Sequence, residues 1–499
     1  MEERGKMSNW KTIYLACALW AATAVVSPAQ TFTTLFSFDQ SDGSAPLAGL
    51  IQATNGNLYG TTAGGGPGGG GNCFGSLGCG SAFEISLAGK LTTLYNFCAE
   101  GGCDDGSYPL AGLAQASNGN FYGTTNFGGG GVSCGIGCGT VFELTPEGKL
   151  TTFYAFCAKQ FCPDGANPNG LVQATNQNFY GTTCCWGEEE GTFFELTPGG
   201  TLTTLYNFCT ESFCDDGGVP VGTMVEATNG KLYGMTQSGG HFFGGVVYAI
   251  TTAGELSTVY AFGTKAHYGD GLNPSGNLIQ ATDGNFYGTT LRGGAYSNCG
   301  HEEPGCGTVF KVTAAGQLTT LYSFCPEVTC VDGQQPNGGV IQATDGNFYG
   351  TTVAGGANGL GTIFEITPEG TLTTLHSFDS TDGENPYGPL LQATNGDLYG
   401  TTYGGGADGW GTVFSLSLGL GPFVVTRPTS GAAGVRVVIL GNNLAGTSSV
   451  TFNGTAAMYT VVSPSEINAT VPNGASTGSV VVTTPGGKLT SSVNFKIVN

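Results

Sequence analysis

The side chains able to do chemistry are few, and most of them recur at fixed spacing. The chain of 499 residues holds 17 cysteines, 4 histidines and 35 acidic residues. Cys98/Cys103, Cys157/Cys162, Cys209/Cys214 and Cys325/Cys330 share a C-x4-C spacing. Cys73/Cys79, Cys134/Cys138 and Cys299/Cys306 form closely spaced pairs, and Cys184 adjoins Cys185. Setting Cys17 aside leaves 16, an even number that predicts disulfides in an oxidising compartment, with the Cys184/Cys185 pairing left open. The C-x2-C spacing of zinc knuckles is missing, and pairs in different repeats would be too dispersed to converge on one ion. No metal and no cofactor is therefore expected.

Asp-Gly-x-x-Pro occurs seven times, beginning at Asp42, Asp105, Asp164, Asp216, Asp270, Asp332 and Asp382. A carboxylate ring could bind Ca²⁺, but one aspartate per repeat supplies too few oxygens, and a turn-forming role is expected instead. Gln52, Gln115, Gln173, Gln280, Gln342 and Gln392 recur at another fixed position, where the fourth repeat carries Glu226. They could line a channel, or satisfy backbone groups between neighbouring units. Two acidic tips, Glu188-Glu189-Glu190 and His301-Glu302-Glu303, could hide a paired-carboxylate glycosidase. The histidines lie in no HExxH motif and beside no GxSxG elbow, so no catalytic residue is assigned. The candidate ligand-binding residues are Trp186, Glu188, Glu189, Glu226, Phe242, Phe243, His301, Glu302 and Trp410.

Repeated elements must position these groups. GLIQATNGNLYGTT (49–62) returns seven times in all, ending with PLLQATNGDLYGTT (389–402), and each copy is followed by a segment like GTVFELTPEGKLTTFYAF (139–156). Each repeat reads as four short strands. Asn-Gly or Asp-Gly turns the first into the second, because both dipeptides accept the positive φ of a tight hairpin. A Gly-rich loop leads to the third strand, and Pro-Glu-Gly or Ala-Gly turns it into the fourth. This periodicity predicts an all-β fold, a seven-bladed β-propeller over 31–420. TFTTLFSF (31–38) is a fourth-type strand without predecessors and is expected to close the last blade. Short uniform turns then share one end of the ring, and long variable loops share the other, which is the candidate binding surface. Residues 421–499 contain no cysteine and predict a small β-sandwich.

Composition narrows the function. The formal charge of −21 argues against nucleic acid and anionic lipid as partners. The 89 glycines do not make the chain disordered, because 40 % of its residues are hydrophobic and only 10 % charged. Residues 1–29 combine Arg4, Lys6 and Lys11 with an apolar run at 12–26 and the small residues Ser27-Pro28-Ala29, which predicts a cleaved signal peptide. The mature protein is expected to be secreted or held at the cell surface, monomeric and without a membrane span.

The Gln-Ala-Thr-Asp-Gly-Asn-Phe-Tyr-Gly-Thr-Thr … Gly-Thr-Val-Phe units resemble the bacterial GloVer tandem-repeat proteins, some of which carry a choice of surface anchors. That resemblance spans roughly 31–420 and implies export, with no activity to carry over. The C-terminal segment is similar to IPT/TIG domains, an immunoglobulin-like fold. The likeness rests on Pro428 to Gly434, Ile439-Leu440-Gly441-Asn442-Asn443-Leu444, Val450-Thr451-Phe452-Asn453-Gly454 and Val471-Pro472-Asn473-Gly474. The expectation is a non-enzymatic module that binds a glycan, peptide or surface protein through its variable loops. The alternatives are a carbohydrate-active hydrolase or lyase using loop carboxylates, and a structural spacer of the envelope or matrix.

Overall fold

The computed structural model describes residues 30–66, 73, 78–99, 102–130, 134–185, 190–297, 299 and 304–498. Residues 1–29, the expected signal peptide, lie outside them. Among the described residues the repeats form seven four-stranded antiparallel sheets. In the first, Ile51–Gln52, Leu58–Thr62, Ser81–Ile85 and Leu91–Asn96 pair in chain order. Thr31–Ser37 pairs with Thr412–Ser417 and so becomes the fourth strand of the last sheet.

The repeated sequence dictates this arrangement. In Leu58–Thr62 and its six counterparts all five residues of Leu/Phe-Tyr-Gly-Thr/Met-Thr are buried. Glycine at the centre is required there: a Cβ on Gly60 would come within 2.7 Å of the Phe83 ring and 2.8 Å of Leu50. The final threonine bonds the third strand, as in the 2.8 Å Thr125–Thr140 hydroxyl contact. The third strands alternate inward apolar residues, and the fourth are half-exposed. First strands vary in length. Ile51–Gln52 spans two residues, whereas Ala166–Gln173, Gly218–Glu226 and Leu272–Gln280 extend through the proline that precedes them.

The core is divided among the gaps between sheets. One apolar cluster joins Tyr59 and Phe97 of the first sheet to Phe121 and Phe142 of the second, and equivalent clusters follow in order. Another joins Tyr399 and Val413 of the last sheet to Leu58 and Phe83 of the first. The sheets therefore close on themselves. Each buried aromatic of 150–250 Å² contributes heavily to such an interface.

Residues beyond the last repeat form two further four-stranded sheets. Val437, Ile439 and Ile467 of one face Val450, Phe452, Val480 and Val482 of the other across a single core. No described helix is long and apolar enough to cross a membrane.

Candidate functional site

The turn end and the loop end of the sheets offer different surfaces. At the turn end the recurring glutamines brace neighbours. Gln52 Nε2 donates to the Gly56 carbonyl at 3.1 Å, closing its own hairpin, while Gln52 Oε1 accepts the Thr394 amide of the last sheet at 2.9 Å. The same inter-sheet bond runs from Thr54 to Gln115, Ser117 to Gln173, Thr228 to Gln280, Thr282 to Gln342 and Thr344 to Gln392. Glu226 keeps the role with a carboxylate, accepting both the amide and the hydroxyl of Thr175 at 3.0 and 2.8 Å. Its oxygens are thus engaged by the neighbouring sheet.

The C-terminal sandwich covers this end. Arg427 donates to the Gln52 carbonyl at 2.9 Å and to Gln115 Oε1 at 3.0 Å. Desolvation of the guanidinium lowers its pKa to about 10, so it stays charged at neutral pH. Ser465 Oγ donates to the Thr54 carbonyl at 3.1 Å, and Lys496 Nζ donates to the Thr228 carbonyl. Nothing in the repeat pattern pointed to Arg427. Its one signal was being a cation in a chain with 14 of them.

The loop end is held by the Asp-Gly-x-x-Pro aspartates. Tyr95, Tyr154, Tyr206, Tyr260 and Tyr322 each donate their hydroxyl to the aspartate ten residues ahead, at 2.8–3.0 Å. Asp270 also accepts the Thr264 amide and hydroxyl at 2.9 and 2.8 Å. Burial, supplemented by the aspartates, raises Tyr206 and Tyr260 to about 12. These carboxylates organise loops through Oδ2, which is the turn-forming role, while Oδ1 of Asp164 and of Asp216 is buried without a hydrogen-bond partner.

Above that frame stand exposed aromatics. Phe161 and Phe213, each one residue before the second cysteine of a C-x4-C loop, are 78 % and 75 % exposed. Phe242 and Phe243 are 48 % and 62 % exposed, and Tyr268 and Tyr296 also face solvent. These residues come from the second to fifth sheets. Trp410 belongs to the seventh and is half-buried against the cluster that closes the ring, apart from the phenylalanines. Trp186, Glu188, Glu189, His301 and Glu302 lie outside the described residues. Phe161 and Phe213 were missed in the sequence, although an apolar residue in a short loop pinned at both ends has few places to hide.

A cavity of about 450 Å³ opens among the first strands. Every repeat contributes the residue after its loop proline: Leu47, Leu110, Asn169, Val221, Ser275, Asn337 or Tyr387. That position varies between flanks that barely change. Asn169 donates to the Pro220 carbonyl at 2.7 Å and Asn337 to the Tyr387 carbonyl at 3.2 Å, so part of the polarity is spent on neighbouring sheets.

Seven cysteine pairs are disulfide-bonded: Cys73–Cys79, Cys98–Cys103, Cys134–Cys138, Cys157–Cys162, Cys209–Cys214, Cys299–Cys306 and Cys325–Cys330. Cys184 is also disulfide-bonded, and the Cys185 side chain lies outside the described residues. These bonds point to an extracytoplasmic setting. The expectation of dispersed cysteines concerned pairs in different repeats; within one repeat two pairs meet. The sulfurs of Cys73, Cys79, Cys98 and Cys103 all lie within 4.8 Å of one another, as do those of Cys134, Cys138, Cys157 and Cys162.

The sequence profile of the Gloeobacter/Verrucomicrobia repeat matches residues 23–160, 133–325 and 270–461. No curated protein matches the sequence. Among solved structures, a copper-bound fungal alcohol oxidase of the AA5 family aligns over 94 % of this chain and 99 % of its own, at 12 % identity and a TM-score of 0.48. A putative gluconolactonase aligns over 79 % and 94 %, at 11 % identity and a TM-score of 0.40. The PQQ-bound aldose sugar dehydrogenase of Streptomyces coelicolor aligns over 78 % and 99 %, at 12 % identity and a TM-score of 0.37. Nothing of their chemistry passes to this chain on such similarity.

Proposed function

The chain belongs to the Gloeobacter/Verrucomicrobia repeat family, and we propose that it is an exported, non-enzymatic recognition module whose loop end binds a glycan. In this reading the seven sheets are the blades of one β-propeller, and residues 421–499 are an immunoglobulin-like module of IPT/TIG type. The observation that carries the reading is the set of exposed phenylalanines, Phe161, Phe213, Phe242 and Phe243, on loops that are otherwise tightly organised. An apolar patch on a rigid support marks an interaction surface. Flat rings facing solvent suit the C–H faces of sugars, and the chain's negative charge favours a neutral or cationic glycan over an anionic polymer. The opposite end supports the assignment by being occupied already, through Arg427 and the sandwich.

The test is a glycan and cell-wall-fragment array probed with the full mature chain, with turnover assayed on every hit. Retention without turnover is expected. It should fall at least tenfold when Phe161, Phe213, Phe242 and Phe243 are all replaced by alanine in a variant with unchanged melting temperature. Undiminished retention by that variant, or turnover of the bound glycan, contradicts the reading.

A further inference from the structure

The cysteines carry a pattern that local disulfides do not explain. In the first, second and fifth repeats a pair in the loop between the second and third strands, and in the third repeat the pair Cys184-Cys185 at the end of the second strand, accompanies a C-x4-C pair after the fourth. In the fourth, sixth and seventh repeats both pairs are missing together. No repeat keeps one pair and lacks the other. Two independent loop staples would have no reason to assort in this way, because each would pin its own loop.

The fourth repeat also shows that the C-x4-C loop does not need its staple. Its loop, Phe262 to Gly271, has the same length as Phe97 to Gly106, with Gly263 and Tyr268 in place of the two cysteines. Gly263 and Tyr268 take φ of 86° and 57°, in the left-handed region that Cys98 and Cys103 occupy at 60° and 55°. The closing Tyr–Asp bond is equally short, 2.8 Å from Tyr260 to Asp270 and 2.9 Å from Tyr95 to Asp105. The loop shape is therefore set without sulfur. What the cysteines add in the first and second repeats is four sulfurs brought to one place. In each of the two described quartets three of the four residues are buried, and all four sulfurs fall within 4.8 Å of one another.

We propose that Cys73, Cys79, Cys98 and Cys103, and likewise Cys134, Cys138, Cys157 and Cys162, each form one tetrathiolate site for a soft d¹⁰ cation such as Zn²⁺ in the reduced protein, interchangeable with the paired disulfides. A tetrahedral Zn²⁺–S₄ centre has Zn–S distances of about 2.3 Å, hence sulfur–sulfur separations of about 3.8 Å, which lie inside the envelope the quartets already occupy. Reducing the two disulfides of a quartet takes four electrons and four protons from two molecules of a dithiol, each of which leaves as a disulfide. The four thiols then release four protons as four Zn–S bonds form, and the centre carries a charge of −2. The site needs ligands from both loops, so in the first and second repeats one pair is useless without the other; the fifth repeat keeps both pairs as separate disulfides. The Phe97 and Phe142 rings share a cluster with the first quartet and would shield its thiolates from water.

The experiment uses the full mature chain, reduced anaerobically with a water-soluble phosphine, which converts each disulfide to two thiols as it takes oxygen from water. Co²⁺ serves as the spectroscopic probe and Zn²⁺ as its competitor. Uptake of at least two Co²⁺ per chain is expected, with thiolate charge-transfer absorption and the intense visible bands of tetrahedral sulfur coordination, all bleached by Zn²⁺. Replacing Cys73 and Cys79 by serine should remove one Co²⁺. Replacing Cys98 and Cys103 should remove the same one, and combining the two changes should remove no more. Uptake without sulfur-coordination bands, losses that add when the loops are changed together, or a reduced chain that binds no Co²⁺ overturns the proposal. The outcome does not depend on the glycan reading, since no ligand other than the metal is used.

Discussion

The turn end and the loop end are built from the same repeats, yet they diverge in opposite directions. At the turn end each hairpin is nearly a copy of the next, and the glutamine ring, with Glu226 as its one exception, spends its hydrogen bonds on neighbouring backbone. The end is then covered by the sandwich through Arg427, Ser465 and Lys496. At the loop end the half-buried Tyr–Asp pairs are equally regular, but the residues above them differ from sheet to sheet and include rings left in solvent. Uniformity marks where sheets recognise one another, and variation over a fixed frame marks the surface free to recognise something else.

Both ends rest on tyrosine–carboxylate pairs, since at the turn end the buried Tyr122 donates to Glu143 Oε1 at 2.8 Å and at the loop end half-buried tyrosines donate to aspartates. Alkali therefore attacks both ends together and gives the largest effect. Burial holds Tyr122 at the turn end, and Tyr206 and Tyr260 at the loop end, at about 12 against an ordinary value of 10.0. A folded-state pKa above the unfolded one contributes stability that is complete below pH 10 and is lost as the pH rises through about 12. Unfolding followed by circular dichroism and tyrosinate absorbance should show both signals changing together in that window. Tyrosinate appearing well before the structure is lost would show that the pairs do not brace the sheets.

Next comes the loop frame alone. Asp270→Ala takes the acceptor from the Thr264 and Lys265 amides and leaves the Tyr260 and Thr264 hydroxyls only each other, and should cost about 3 kcal/mol in denaturant unfolding. At the turn end Arg427→Ala should cost about 2 kcal/mol of docking. It should also expose the connection at 418–424 to protease while leaving the sheets folded. Gln280→Ala removes a single inter-sheet brace and should cost about 1 kcal/mol, read as a lower denaturation midpoint. The smallest change belongs to the binding surface. Phe161→Ala with Phe213→Ala should alter stability by less than about 0.5 kcal/mol while weakening glycan retention, because exposed rings hold nothing in the free protein.

Much of the architecture was legible because it is repetitive. Asn-Gly turns, the buried Tyr-Gly-Thr-Thr strand and the fourth-type strand Thr31–Ser37 ahead of the first repeat each made local sense and agreed with one another. The cysteine pairs were legible too, but their meeting was not. Spacing along the chain says nothing about two loops 20 residues apart until the hairpin between them is folded. The aromatic surface was only partly visible. Phe242 and Phe243 stood out as adjacent rings in a glycine-rich loop, whereas Phe161 and Phe213 resembled core residues of the strands around them. Arg427 was illegible because its partners, Gln52 and Gln115, lie more than 300 residues away in sequence.

The central claim, recognition at the loop end, is tested most directly by hydrogen–deuterium exchange of the full chain with and without the glycan retained on the array. The account predicts added protection in the segments around Phe161, Phe213 and 239–245, with no change at the hairpins around Asn55, Asn118 and Asn229. Protection confined to those hairpins or to the sandwich, with the loops exchanging as in the free protein, would contradict it.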